Sequence, residues 1–499
     1  MIIRPEDPSD DVVHADVVVV GTGAGGAVVA AELAEAGARV VVVEEGDHHP
    51  STTFTAQPTR QIRTLYRDRG LAGAIGNTFI GIPLGRGVGG TTTINSGTCW
   101  RAPEEVLRSW EADFGIPDLA GGGLSPEYQR VEKAIHVDPV PDSLLGPGGE
   151  IFRRGAQALG LDGENIPRNA AGCRGTGVCA LGCPHGAKQS TNVSYMPRAI
   201  RAGARVYVRT RADRVLIENG RAVGVLADRG TQNGGTSGGR LRILAGRTVV
   251  AAGALLTPLL LKRSRVRRRP IGHHLRIHPA PRVLASFDWP VRAWEGVPQS
   301  YHVHEFEPEG IFLQGMFVPP GLQAPNVPGF GHTHKERMAA YDHLASFGAL
   351  ISDTSEGRVL GQGARPLVWY WLNRHDVGRL RRGIAQVARI FFAAGAREVY
   401  PGVRQLPVLR SLTDVEELES TSARAGDIDM MAFHPMGTAR MGRNPNHSAV
   451  APSGEVHGLS GLYVADASLF PGSTRLNPQL TIMALATRIA RGIAERKHG

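Results

Sequence analysis

His434 opens the run His434-Pro435-Met436-Gly437-Thr438-Ala439-Arg440-Met441-Gly442, which is followed by Asp466-Ala467-Ser468 and then by Asn477-Pro478-Gln479. An imidazole exchanges protons near neutral pH, so a histidine in a turn-rich segment is a candidate for acid–base chemistry. Taken alone it fits a satisfied structural histidine better. From Pro478 onward Leu480, Met483, Ala486, Ile489 and Ile493 recur at helical spacing. That pattern makes Asn477 the expected N-cap and Pro478 the first-turn residue, and it sets the positive end of a helix beside whatever Asn477 faces.

A second group with reactive side chains is Cys173, Cys179 and Cys183 in a Gly-rich stretch that ends Cys183-Pro184-His185-Gly186-Ala187-Lys188. Thiolates gathered this closely suit an iron–sulfur cluster or zinc, but the usual spacing of two residues between cysteines is absent. An iron–sulfur cluster at Cys173, Cys179 and Cys183 therefore stays open as the less favoured reading, and small packed thiols in a loop as the preferred one. No metal ligands are assigned.

The elements that must position such groups begin at the amino terminus. Ala15 to Val20 reads as a buried strand that runs into Gly21-Thr22-Gly23-Ala24-Gly25-Gly26, then a helical pattern, then a second strand from Arg39 to Val43 that ends in Glu44. This is a βαβ unit with Gly21, Gly23 and Gly26 in the dinucleotide register. Gly21 permits the tight turn, Gly23 lets a pyrophosphate approach the backbone, and Gly26 lets the helix pack closely. The helix start supplies amide donors, and Glu44 is placed to bond ribose hydroxyls. The motif alone does not separate NAD from FAD. A second Gly-rich segment, Gly85 to Asn95, is dense in backbone donors and hydroxyls.

Arg247 to Ala254 and Leu462 to Asp466 read as strands that return to the same sheet, so the nucleotide domain is discontinuous. The expected organisation is α/β: a discontinuous Rossmann-like dinucleotide-binding domain over residues 1–279, with a loop near 165–190 over the cofactor, an inserted α+β substrate-binding domain over 280–425, and a return over 426–499. Thr231 to Gly239 reads as a hairpin loop, and Arg382 to Ala394 as an amphipathic helix.

Length and composition exclude several classes. The chain has 499 residues, 42% apolar and 20% charged, which is globular composition and too long for one core. Its mean hydropathy is −0.14, and no stretch is long and apolar enough to span a bilayer. Met1 to Asp16 carries Glu6, Asp7, Asp10 and Asp11 in place of an export signal, so a cytoplasmic location is expected. The net charge is +10. Its one dense cluster, Lys262 to Arg269, reads as a solvated loop, and no nucleic-acid partner is expected.

In combination, the Gly21–Glu44 unit, Gly89-Gly90 to Asn95, the Ala251-Ala252-Gly253 strand end and the His434 and Asn477 regions resemble the glucose-methanol-choline oxidoreductase family across nearly the whole chain. The resemblance implies FAD held by Gly21, Gly23, Gly26 and Glu44, with Gly90, Thr91 and Asn95 beside the flavin and Asp466 and Ala467 near the ribityl and pyrophosphate. It implies oxidation of an alcohol to an aldehyde or ketone by hydride transfer to flavin N5, with His434 as general base and Asn477 orienting the substrate oxygen. The partners are then a small-molecule alcohol and oxygen or another electron acceptor. Some relatives tether FAD through a histidine where this chain has Ile94, so noncovalent FAD is expected. A similar cysteine stretch occurs in the branch that resembles long-chain-alcohol oxidases. A flavin-dependent lyase and an electron-transfer subunit are the alternatives.

Overall fold

Val17 to Val20 and Val40 to Val43 are almost fully buried, and parallel strands covered on both faces select such continuous β-branched runs. In the computed structural model, which describes residues 1–230, 239–315, 317 and 319–496, these runs form the neighbouring parallel strands Val12–Val20 and Val40–Val43. The helix Ala24–Glu35 between them packs on this sheet and on Gln479–Glu495, the last helix described.

The sheet runs in the order Ile2–Ile3, Arg205–Tyr207, Val40–Val43, Val12–Val20, Arg240–Val250, Arg221–Arg229 and Thr210–Glu218, with Leu462–Val464 also paired to Arg240–Val250. Segments from both ends and the middle of the chain thus share one layer, as a discontinuous domain requires. The connection expected as a hairpin loop at 231–239 joins Arg221–Arg229 to Arg240–Val250, which pair antiparallel, and all of it but Gly239 lies outside the described residues.

Among the described residues eleven strands make a second sheet, built around Pro279–Ser286, Leu344–Ile351 and Ile311–Gln314. Four of its strands, Gly73–Gly76, Ile80–Gly81, Gly163–Asn165 and Met430–Ala432, come from outside 280–425. The helix that covers it is longer than the pattern indicated, Arg374–Ala393, because Asn373 caps it by accepting from the Asp376 amide at 2.8 Å. Its face of Ile384, Val387, Ala388 and Phe391 is fully buried.

The basic cluster is not a solvated loop throughout. Lys262 and Arg263 end the helix Thr257–Arg263; Lys262 Nζ donates to Val359 O and Arg263 Nε to Asp213 O. Both cations are thus turned onto backbone carbonyls rather than left to solvent.

Candidate active site

The glycine turn is specified by space. Gly21 has φ of 99°, in the region that excludes most side chains, and a Cβ there would sit 2.4 Å from Ala251 O. A Cβ on Gly26 would sit 2.2 Å from Gly21 O, which is why the helix can pack so closely, and one on Gly25 would sit 1.6 Å from Ala465 O. Gly23 is the exception, since a Cβ there meets nothing within 4 Å. It opens onto a cavity of about 790 Å³. A helix start whose backbone meets open space is the cradle that a pyrophosphate needs, so the residues present fit a dinucleotide.

Gly21, Gly23, Glu44, Gly90, Thr91, Asn95, Asp466, Ala467, His434 and Asn477 all line this cavity, whereas Gly26 lies behind the turn. Glu44 is buried and accepts from the Thr22 hydroxyl at 2.7 Å and the Gly46 amide at 2.9 Å; burial raises its pKa. Asp466 accepts from the Gly253 amide at 2.8 Å and the Thr257 hydroxyl at 2.5 Å. It thereby ties the returning strand to the Ala251-Ala252-Gly253 end.

The second Gly-rich segment folds onto the first: the Gly89 amide donates to Thr22 Oγ1 at 3.1 Å. Its far end is clamped by Lys188, a residue that no sequence pattern singles out. Lys188 is buried, with Nζ donating to the carbonyls of Thr93 at 2.8 Å, Asn95 at 2.6 Å and Cys179 at 2.9 Å, and burial pushes its pKa down to about 8. Three carbonyls satisfy three ammonium protons, which fastens the cysteine loop to Asn95. Arg168 also donates to Ser96 O and Cys179 Sγ. Cys173, Cys179 and Cys183 are free thiols, and among the described residues no group of three His, Cys, Asp or Glu side chains is placed to hold a metal ion. Ile94 is buried with Phe54 and Leu65.

His434 and Asn477, which come from separate segments, meet at the other end of the cavity: Asn477 Nδ2 donates to His434 Nε2 at 3.1 Å. Asn477 is not the N-cap that was expected. Pro478 occupies that place ahead of Gln479–Glu495, with no side-chain cap, because the Asn477 amide is turned toward the imidazole. Asn477 Oδ1 is buried without a partner among the described groups.

The amide orientation puts the ring proton of His434 on Nδ1, which faces His278 Nδ1 at 3.2 Å; His278 Nε2 then donates to Ser473 Oγ at 2.6 Å, and Ser473 Oγ lies 2.9 Å from Ser352 Oγ. Burial pushes the His434 pKa down to about 3 and that of His278 well below its ordinary value, so both rings are neutral. Asp353 anchors the backbone here. It accepts from the Ile277 amide at 2.9 Å and the Tyr370 hydroxyl at 2.6 Å, and burial pushes its pKa up to about 6. His278 was missed in the sequence because it lies 156 residues from its partner. Its one signal is a polar residue directly before the apolar strand Pro279–Ser286.

Against known proteins, residues 62–280 and 353–486 match the two models described as GMC oxidoreductase, and residues 16–62 match an FAD binding domain. An uncharacterised GMC-type oxidoreductase of Mycobacterium tuberculosis is 39% identical over 98% of this chain and 77% of its own length. A long-chain-alcohol oxidase of Arabidopsis thaliana is 30% identical over 98% of this chain and 69% of its own. Among solved structures, a variant of formate oxidase from Aspergillus oryzae RIB40 superposes with a TM-score of 0.73 at 18% identity, covering 98% of this chain and all of that one.

Proposed function

Because the chain belongs to the GMC oxidoreductase family and is an FAD oxidoreductase, we propose that it oxidises the CH–OH group of an alcohol to a carbonyl, with His434 as the base. What carries this reading is the placement of the His434–Asn477 pair in the wall of the same cavity that begins at Gly23. Gly21, Gly23 and Glu44 would hold the adenosine and pyrophosphate end of FAD. Gly26 holds the helix in register behind them, and Gly90, Thr91, Asn95, Asp466 and Ala467 flank the rest. Buried, apolar Ile94 supports noncovalent binding. Bound FAD supplies the acceptor for the hydride that leaves the carbinol carbon.

The chain's own part is proton handling. A neutral imidazole has one in-plane lone pair, at His434 Nε2, and Asn477 Nδ2 occupies it in the present arrangement. An entering alcohol takes that place: its hydroxyl proton passes to Nε2 while the displaced Asn477 amide donates to the oxygen it leaves behind. The charge that forms on the His434 ring is shared through Nδ1 with His278 and Ser473. Holding these groups in line before the substrate arrives is how positioned general bases lower barriers.

The test is an anaerobic absorption spectrum of the purified protein with a panel of alcohols. The flavin bands should bleach with at least one alcohol in the wild-type protein and persist in His434→Ala, and readmitting air separates oxygen from other acceptors. Equal bleaching in both proteins would remove His434 from the role.

A further inference from the structure

The strand Leu367–Tyr370 alternates in burial but not in polarity, whereas a half-exposed strand normally alternates in both. Its inward residues Val368 and Tyr370 are buried as expected, but Leu367, Trp369 and, just beyond it, Trp371 face outward at 51%, 42% and 55% exposure. Neighbouring strands extend the face: Leu360 pairs with Leu367 on one side and Ile75 with Trp369 on the other, both substantially exposed. The two indoles lie 6.3 Å apart between centroids. Phe79 continues the patch over Gly73, where a Cβ would fall 2.5 Å from Phe79 Cζ. Water-facing positions of an open sheet are ordinarily polar, and a contiguous apolar field with aromatic members marks an interaction surface.

Two further features say what covers it. Arg358 pairs with Trp369 and projects on the same exposed face, while exposed Arg365 and Arg374 flank the Leu367–Tyr370 strand in the chain. Two acids stand at this edge: Asp68, at 3.6 Å from Arg365, and Glu356, which is paired with Arg276 and His274. Among the described residues no ion pair is formed by Arg358 or Arg374, so cations prevail at this edge of a chain of net charge +10. In a two-fold dimer this face would be buried against a second copy of itself, where the nearby carboxylate of Glu356 is already taken by His274 and Arg276, so Arg358 would be desolvated without a free carboxylate opposite it. An anionic surface resolves both demands, because arginines meet headgroups while indoles, apolar in body and polar at one edge, settle at the level between headgroup and acyl chain. Phe79 and Ala364 also line the cavity that holds His434, so the face ends where the cavity meets the surface.

We propose that the face formed by Ile75, Phe79, Leu360, Leu367, Trp369 and Trp371, with Arg358 among them, is a peripheral docking surface for an anionic phospholipid bilayer. Among the described residues no helix is long and apolar enough to cross a membrane, so the contact is interfacial. Docking there opens the cavity toward the lipid, from which an apolar ligand reaches it without crossing water. The surface is independent of the identity of the substrate.

The experiment is co-sedimentation of the FAD-loaded full chain with vesicles of phosphatidylglycerol and phosphatidylcholine, and with phosphatidylcholine alone. The wild-type protein should pellet with the anionic vesicles, more weakly as salt is raised. The double variant Trp369→Ser, Trp371→Ser should lose about tenfold or more in affinity, and Arg358→Gln about fivefold. Both variants replace exposed side chains, and equal flavin absorbance per chain shows that they fold. The proposal is overturned if the wild-type protein ignores anionic vesicles, or if the double variant binds them as well as the wild type. It is also overturned if sedimentation equilibrium shows a dimer that the double variant dissociates, since the face would then belong to a second copy.

Discussion

The glycine turn at Gly21–Gly26 and the imidazole site at His434 lie in the wall of one cavity but are built by opposite means. In the turn the controlling distances run from backbone to backbone: absent Cβ atoms at Gly21, Gly25 and Gly26 allow main chain to touch main chain at Ala251, Ala465 and Gly21 itself. The site is built by side chains that bridge distant segments, Asn477 to His434, His434 to His278 and His278 to Ser473. Backbone contacts have no rotamer to adjust, so any added atom is resisted in full, whereas a bridge of side chains loses one link at a time. The turn should therefore fail as a unit, taking cofactor and fold together, and the site should fail by degrees while the fold persists.

The largest effect expected is at Gly25. Gly25→Val must displace Ala465 O, and overpacking against fixed backbone costs about 3 kcal/mol or more. The variant should be recovered largely unfolded or without flavin, measured as the ratio of flavin to protein absorbance. A variant with full flavin content would show that the turn yields as side chains do and would break the contrast. Glu44→Gln sharpens it from the same side. The carboxylate is tied to Thr22 and Gly46, so its loss should weaken FAD by about tenfold, on the order of one charged hydrogen bond, without unfolding the chain; titration of the apoprotein with FAD measures this.

On the other side, His434→Ala should keep its flavin and its melting temperature within a few degrees while flavin reduction by alcohol slows by about a hundred- to ten-thousand-fold. His278→Phe should slow it less, by about ten- to a hundred-fold, the scale of one unsatisfied buried partner. A positioning role for His278 predicts that kcat falls while KM holds. A purely packing role predicts a drop in melting temperature with kcat unchanged.

The same contrast explains what could be read in advance. The turn was legible because its constraint is local: strand, glycines, helix, strand and Glu44 follow one another in sequence, and each glycine but Gly23, which faces the cavity, answers a contact within the unit or with a returning strand. His434 and Asn477 were legible through a resemblance, not through spacing, since nothing in a linear pattern brings them together. His278, Ser473 and the Lys188 clamp were not legible because their roles arise from the pairing of Pro279–Ser286 with Met430–Ala432 and from the packing of the cysteine loop on Asn95. The expected N-cap at Asn477 failed for the same reason, because a tertiary hydrogen bond took the side chain that local capping would have used. The outward tryptophans at 369 and 371 fall within the expected substrate-binding domain, and domain bounds carry no information about which face of a strand a residue occupies.

Acid gives the smallest and most discriminating comparison, because His434 and Glu44, at the two ends of the cavity, respond with opposite sign. His434, near 3 in the folded chain, titrates near 6.5 when unfolded. Between those values the unfolded chain binds more protons, so the native state loses stability as pH falls through that window. His278 is depressed in the same direction. Glu44 and Asp466, raised by burial, do the reverse: their folded forms bind protons more readily than the unfolded chain, so their contribution is present at acid pH and is lost as pH rises through their folded values. Melting temperatures followed from neutral pH down to about pH 5 should therefore decline less in His434→Asn than in the wild type, because one imidazole that resists protonation has been removed. Glu44→Gln should decline more steeply than the wild type, because a group that gains from acid has been lost. If both variants move the acid limb the same way, the two ends of the cavity are electrostatically one site, and the division between a backbone-built cradle and a side-chain-built centre fails.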